Sequence, residues 1–434
     1  MESPDTSNKP SEVAHVVEHL FRHEAGKLVA ILTGIFGLDH LTLAEDVVQE
    51  ALARALQTWP FYGVPENPSA WIMRTSRNLA LDVVRREKVF RDKESEIIRL
   101  IESAPQEAGV SEQEIADDRL RMMFVCCHPA IPPEAQVALA LKTLGGFSPR
   151  EIGSAFLTSE AAIAKRLTRA KQKIREAKIP FEIPSGQELT RRLDGVLQSV
   201  YLLFNEGYKA SSGDKLVRED VCSEAIRLAS LLAQHPAGNQ PKTHALLALM
   251  LLNTARLPAR IDGEGNLLRL QEQDRSQWNQ PIIAQGMLHF AKSAAGNQIT
   301  EYHLQAGISA CHCTAKDYVS TEWRQILALY DRLMEFDDSP VVALNRAVAV
   351  AEVEGPRAGI EAVQGIKNLS SLESYHLLHA VLGEFELRAN HASAAARHFQ
   401  KALELAEIKS EQAFLSKRLL ACERNSEKMF SSMS

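Results

Sequence analysis

Residues Phe147 to Lys178 read FSPREIGSAFLTSEAAIAKRLTRAKQKIREAK, and this stretch decides how the rest of the chain is understood. Ser148 stands where it can cap a helix, Pro149 takes the first helical position, where a missing N–H costs nothing, and Glu151 completes a Ser-x-x-Glu capping box. Phe147 and Ile152 add a hydrophobic staple across the same end. After Leu157 and Thr158, Ser159 can cap a second helix in which Ile163, Leu167, Ala170 and Ile174 recur at offsets of four, three and four, a single apolar stripe. The opposite face collects Ala161, Ala162, Lys165, Arg169 and Lys173, with Arg166 on its flank and Arg150 on the helix before. A basic face by itself is most often solvated surface. Two capped helices around a short turn are a helix-turn-helix, in which small leading side chains let the second helix enter a groove while Lys and Arg reach phosphates or guanine edges.

Whole-chain properties narrow the setting. A chain of 434 residues is too long for one core, and its length suggests about three domains. Its net charge of −6 excludes a polycation that coats DNA, so nucleic-acid contact has to be local. Six cysteines without a paired framework, and no signal peptide at the N-terminus, point to a reducing cytoplasm. No apolar run approaches the roughly 18 residues of a membrane span. Long segments with helical spacing and no convincing alternating run predict an all-α fold.

Taken in order, residues 1–11 are polar and aperiodic and read as a disordered tail. Helical stripes follow from Val13 (Leu20, Leu28, Ile31, Leu32), with Gly37 as a stop. Thr42 and Glu45 then form a second capping-box pattern, opening a helix with Ala44, Val48, Leu52 and Ala55 inward and Asp46, Glu50, Ala53 and Gln57 outward, Arg54 alongside. PFYGVPENP, residues 60–68, reads as a loop, and Ser69 as the cap of the next helix. In that helix Ile72, Leu79, Val83 and Val84 make the apolar side, while Trp71, Arg74, Asn78, Asp82 and Arg85 align on the other, a mix suited to a nucleic-acid strand. Trp71 is the weak member, because a tryptophan near a helix start is more often a core anchor.

In this order the segments LAEDVVQEALARALQTW, NPSAWIMRTSRNLALDVVRRE and the helix-turn-helix resemble the extracytoplasmic-function sigma factors of the sigma-70 family, over roughly residues 13–178. The resemblance implies a domain at 12–87 that grips RNA polymerase and melts the −10 element, an acidic linker at 88–116, and a domain at 117–180 that reads the −35 element. It places Asp46, Gln49, Glu50 and Arg54 against core RNA polymerase, and Tyr62 to Asn67 in a loop that captures a flipped −10 base. It assigns Arg74, Arg77, Asn78, Asp82 and Arg85 to −10 DNA. For promoter DNA at −35 it offers Lys165, Arg166 and Arg169, where many relatives hold a small hydroxyl residue at the position of Lys165, beside Arg150, Ala162 and Lys173 of the same basic face.

Residues 181–434 exceed what such a factor needs, and the hinge before them carries Pro180 and Pro184. Leu382, Gly383, Ala395, Phe399 and Ala402 fall at tetratricopeptide spacings, and Gly359, Val363 and Ile366 look like a degenerate earlier copy. The chain thus resembles the subgroup with a fused tetratricopeptide-like helical domain, a surface for a regulatory protein or peptide. Two other readings stand beside this one: a helix-turn-helix regulator with a ligand-sensing helical domain, and a helical-repeat scaffold or enzyme. Cys126, Cys127 and His128, and the group His303, Cys311, His312 and Cys313 with His376 and His379, raise metal or nucleophile chemistry. Their spacing fits packed helices better, and no cofactor or metal is expected. No phosphate-cradling glycine loop, His-Glu-x-x-His or nucleophile elbow is present, and Asp262 to Asn266 reads as a turn rather than a calcium loop.

Overall fold

The computed structural model describes residues 10–86, 112–155, 158–208, 219–236, 238–260, 262 and 267–432. Among the described residues the fold is helical and no strand occurs, in agreement with the all-α expectation. The chain divides into two compact units, residues 1–207 with 219–238, and residues 208–218 with 239–434.

The first unit holds α1 (Pro10–His23), α2 (Ala25–Phe36), α3 (Leu41–Tyr62), α4 (Pro68–Arg86), α5 (Glu112–Cys126), α6 (Pro133–Gly145), α7 (Pro149–Ala155), α8 (Glu160–Glu176), α9 (Gly186–Tyr208) and α10 (Glu219–Gln234). Gly37 ends α2 at φ 84°, a conformation that favours glycine. Ala44, Val48, Leu52 and Ala55 are all buried, as their spacing requires, and Trp59 meets Trp71 edge-on at 5.4 Å, which joins α3 to α4 and makes Trp71 a packing residue. Three local expectations are corrected. A 3-10 turn at Leu38–His40 leads into α3 at Leu41, so Thr42 is an exposed helical residue and Glu45 turns inward to Lys171 instead of capping. The helix runs through Pro60 to Tyr62 before Gly63 stops it. Asn67, not Ser69, caps α4: its Oδ1 accepts from the Ala70 N–H at 3.0 Å. The expected tail largely falls outside the described residues, as does the acidic linker up to 111; from Glu112 the chain is already helical.

The helices that follow residue 180 fall in the first compact unit. After Pro180 and Pro184 the chain returns as α9 and α10 to cover α5 and α6. Met123, Leu144, Val196, Val200, Leu203 and Leu228 line one apolar seam among these four helices. A Cβ on Gly145 would lie 2.7 Å from the Phe147 ring and 2.9 Å from Leu203, so the turn after α6 is shaped to this packing. Arg119, 4 % exposed, meets Glu224 of α10 at 3.0 Å, and Arg192 of α9 is held by Glu188 at 2.8 Å and donates to the Phe124 carbonyl at 3.4 Å. Proline breaks a helix, but it does not choose which core the next helix joins; the apolar stripe of α9 does.

The second unit holds α11 (Pro241–Thr254), α12 (Gln280–Ser293), α13 (Glu301–Thr314), α14 (Trp323–Phe336), α15 (Pro340–Glu354), α16 (Pro356–Gln364), α17 (His376–Arg388), α18 (Ala392–Leu405) and α19 (Lys409–Ser432). Its core is a chain of local clusters. One gathers Leu252, Trp278, Ile283 and Ala310; the next Leu304, Ile308, Ile326 and Leu333; then Leu344, Ala351, Val363 and Phe385; then Ala395, Phe399, Ala402 and Leu415. Helices touch where side chains are missing: a Cβ on Gly359 would be 2.9 Å from the Phe385 ring, and one on Gly383 equally close to Phe399. Arg269, from the segment before α12, and Arg418 of α19 both grip Glu384 of α17. Most of Asp262 to Asn266 lies outside the described residues.

Arg119 is buried against Glu224 with Glu24 also nearby, so Glu224→Gln removes one of the carboxylates that offset a buried cation and should cost up to about 3–5 kcal/mol. Urea unfolding of the intact chain, followed by circular dichroism, checks this.

Candidate nucleic-acid interface

The helix-turn-helix forms as its sequence prescribes. The Ser148 N–H donates to Glu151 Oε2 at 2.8 Å, and the Glu151 N–H donates to Ser148 Oγ at 3.2 Å, closing the capping box. Phe147 and Ile152 are both buried. In the turn the Thr158 N–H donates to the Gly153 carbonyl at 2.8 Å, and a Cβ at residue 153 would sit 2.8 Å from the Thr158 oxygen, so the turn closes only on glycine. Ser159 then caps α8, its Oγ accepting from the Ala162 N–H at 3.2 Å.

Burial sorts the faces of α8. Ile163, Leu167, Ala170 and Ile174 are all buried. Lys165, Arg169 and Lys173 are exposed, Ala162 is half-buried, and Arg150 is exposed on α7. Among the described residues Lys165 and Arg169 have no acidic partner, which leaves their charge available to an anion. Arg166 is half-buried and leans to Glu134 of α6 at 3.0 Å, and Lys173 lies 3.8 Å from Glu176. Pairs this exposed are worth about 0–1 kcal/mol, so neither cation is locked away. Lys171 is the exception, turned inward to Glu45.

On α4 the structure brings Arg74, Asn78, Asp82 and Arg85 to one exposed face and removes Arg77 from it. Arg77 is 7 % exposed, and burial lowers its pKa. At about 100° per residue Arg77 falls roughly a quarter-turn from the middle of the Arg74, Asn78, Asp82 and Arg85 stripe, on the side that packs inward, so a position matched by motif is here a core position. At the end of α3, in the segment that leads to Asn67 and α4, Phe61 and Tyr62 are 80 % and 86 % exposed, two aromatic rings in solvent. Along α3, Asp46, Gln49, Glu50 and Arg54 are all exposed, and Arg54 Nε donates to Glu50 at 3.0 Å.

Other candidate groups are accounted for by packing. Cys126 and Cys127 are buried, burial pushes the Cys127 thiol up to about 12, and its sulfur lies 3.7 Å from Ser199 Oγ. Burial, with Arg256 and Arg275 nearby, lowers His312 to about 3, and burial raises Cys313 to about 11, its thiol donating to the Leu252 carbonyl at 3.5 Å. A neutral imidazole beside a protonated thiol is the reverse of an activated pair. His303 bonds to Thr300 and to the Ser293 carbonyl, and His379 to the Glu373 carbonyl. The sequence reading missed Gly26, Glu45 and Lys171; only an acid interrupting the inward side of α3 signals the second of these.

A helix-turn-helix with outward cations, preceded by a helix carrying a polar and cationic stripe, defines a bipartite DNA-binding protein of the sigma type. Residues 20–89 match sigma-70 region 2, residues 121–174 match sigma-70 region 4, and residues 192–294 match a family of unknown function, DUF6596. The chain belongs to the sigma-70 family as an extracytoplasmic-function-type sigma factor with an additional C-terminal domain. It is 38 % identical over 393 residues to "Uncharacterized protein R00370" of Rhizobium meliloti, covering 88 % of this chain and 90 % of that protein. It is 28 % identical over 159 residues to "ECF RNA polymerase sigma factor SigE" of Mycolicibacterium smegmatis, covering 37 % of this chain and 60 % of that one. No solved structure matches it. No helix among the described residues is long and apolar enough to cross a membrane.

Arg74 and Arg77 should separate experimentally. Arg77→Ala is expected to lower the melting temperature, while Arg74→Ala leaves it unchanged and weakens binding to single-stranded −10 DNA, measured by fluorescence anisotropy.

Proposed function

We propose that the chain binds core RNA polymerase in the cytoplasm and directs it to promoters with defined −10 and −35 elements, its own side chains performing no covalent chemistry. The observation that carries this is the division of α8 into a buried stripe, Ile163, Leu167, Ala170 and Ile174, and an exposed cationic face, Lys165, Arg169 and Lys173 with Arg150 and Arg166 at its edges, in a chain that also carries region 2. In this reading α8 lies in the −35 major groove, with one arginine placed on a guanine edge and the remaining cations on phosphates. Tyr62 and Asn67 flank the pocket for a flipped −10 base, and Arg74, Asn78, Asp82 and Arg85 follow the unpaired strand. Asp46, Gln49, Glu50 and Arg54 face the polymerase. Asp46 and Glu50 suit that role because neither is needed by its own helix: Asp46 has no ion pair among the described residues, and an exposed i, i+4 pair such as Glu50 with Arg54 is worth only about 0.3–0.5 kcal/mol.

The second unit, in the same proposal, is a tetratricopeptide-like domain that modulates this activity in cis and offers a surface to a regulatory protein or peptide. Supporting this, α15 and α17 begin at Pro340 and His376, and α16 and α18 at Pro356 and Ala392, so one helix pair follows the other at a constant interval, with Gly359 against Phe385 between the pairs and Gly383 against Phe399 within the second. Since α9 and α10 belong to the first unit, the deletion that probes the modulation removes residues 239–434 and not everything after 180.

Charge reversal tests the polymerase contact. Asp46→Lys with Glu50→Lys should leave the circular dichroism melt unchanged and reduce capture of purified core enzyme at least about tenfold, the loss of some 1.4 kcal/mol; undiminished capture would refute the assignment. For the −35 contact, Arg169→Ala should cost about 1–3 kcal/mol and relax preference at one base pair. Uniform loss on all duplexes with a shallower salt dependence would move Arg169 to the phosphate backbone.

A further inference from the structure

Where α11 and α13 end, three buried nitrogens of the second unit, Arg256 Nε, Trp278 Nε1 and His312 Nδ1, have no hydrogen-bond partner among the described residues. We propose that these groups, with the guanidinium of Arg275, form a binding site for a phosphate-type oxyanion, either free phosphate or the phosphoryl group of a small metabolite. The site supplies the second unit with an effector, a step that rests on the modulation proposed above; the binding itself does not.

Two cations meet on one ring there. Arg256 Cζ lies 5.3 Å and Arg275 Cζ 4.9 Å from the centroid of the Trp278 indole. The ring quadrupole attracts each guanidinium, but two positive charges against one indole repel each other. Among the described residues neither guanidinium has an ion pair. Asp317, the acid that acts on Arg275, is exposed and engaged elsewhere, its Oδ1 accepting from the Ser320 N–H at 2.8 Å. Arg275 is fixed in place: Nη1 donates to the His312 and Ala315 carbonyls at 2.8 and 2.9 Å, and Nη2 to Thr321 Oγ1 at 2.9 Å. The carbonyl end of α13 thus offsets part of its charge. Nothing comparable meets Arg256, whose side chain donates to no atom among the described residues.

The chemistry of the unpartnered atoms selects the ligand. Trp278 and His312 are 2 % and 8 % exposed, and a polar atom buried so deeply is costly to leave unsatisfied. The indole N–H and the Arg256 Nε–H can only donate. Burial, with Arg256 and Arg275 nearby, holds His312 at about 3, so its ring is neutral at physiological pH and adds an N–H without adding charge. Donors backed by an unneutralised guanidinium call for an anion with acceptor oxygens; a neutral ligand or a metal cation leaves the charge unanswered. The donors come from three segments, after α11, before α12 and at the end of α13. Phosphate offers oxygens in three dimensions to such a set, which a planar carboxylate does not. Arg256 and Arg275 are half-buried, which gives a small ion a way in.

The experiment titrates the full chain with potassium phosphate by calorimetry, ionic strength being held constant with potassium chloride. Saturable binding is expected, with a rise in melting temperature that follows phosphate and not chloride. Arg256→Met should keep its circular dichroism melt in chloride and weaken the binding at least about tenfold. Arg256→Lys should recover part of it, and Arg324→Met, which removes an exposed cation at the start of α14, should leave it unchanged. Because α8 carries exposed cations of its own, Arg169→Ala is measured alongside. Glycerol 3-phosphate separates the two sources: tighter binding than phosphate identifies the phosphoryl group of a metabolite, and weaker binding identifies free phosphate. Binding that fails to saturate, that chloride reproduces, or that survives Arg256→Met and is lost in Arg169→Ala overturns the site. The measurement needs neither polymerase nor DNA, so the failures are distinguishable. A chain that binds phosphate yet transcribes alike with and without it contradicts the modulation and not the site.

Discussion

The carbonyls of Thr143 and Leu144 come against α2 only because residue 26 has no side chain, and the architecture of the first unit follows from that approach. With α2 seated on the end of α6, α3 is brought to α8, and Glu45 and Lys171 meet at the edge of the contact. On the other side of α5 and α6 the same domain is covered by α9 and α10, fastened by Arg119 to Glu224. Region 4 is thus enclosed on two sides, and what it leaves to solvent is the cationic face of α8. Packing that covers every apolar face of a helix-turn-helix except its polar, charged one is how a small domain keeps a DNA-reading surface available while belonging to a larger core.

The parts legible in the sequence are those set by local chemistry. Ser148, Glu151, Ser159 and the stripe Ile163, Leu167, Ala170 and Ile174 act within one or two helical turns, and each has the partner its spacing implies. The same holds for the buried and exposed faces of α3. What the sequence concealed is set by partners distant along the chain. Glu45 satisfies the pattern of a capping box, yet its partner lies 126 residues away, and a 3-10 turn had already started the helix. Arg77 fits a DNA-binding motif by position and is buried by its neighbours. Periodicity reports which face of α9 is apolar but not which core takes it, so Pro180 and Pro184 were legible as a hinge while the unit boundary near 207 and 238 was not.

In the second unit, residues of reactive type are held in unreactive states. Cys313 is raised and His312 lowered by burial, each away from the ionised form that nucleophilic chemistry requires. Its distinctive features are steric: glycines that let helices touch, and phenylalanines that fill the space opposite them.

The central claim is that these residues constitute a sigma factor, and transcription reconstituted from purified parts tests it most directly. Core RNA polymerase alone initiates without a defined start on a linear template drawn from the chain's own genome. Adding the intact chain is expected to yield discrete run-off products whose upstream sequences share −10 and −35 elements, and these products should disappear when Arg74 and Arg169 are both replaced by alanine. Discrete products that survive the double replacement, or their absence with a chain that binds core enzyme stably, would contradict the account.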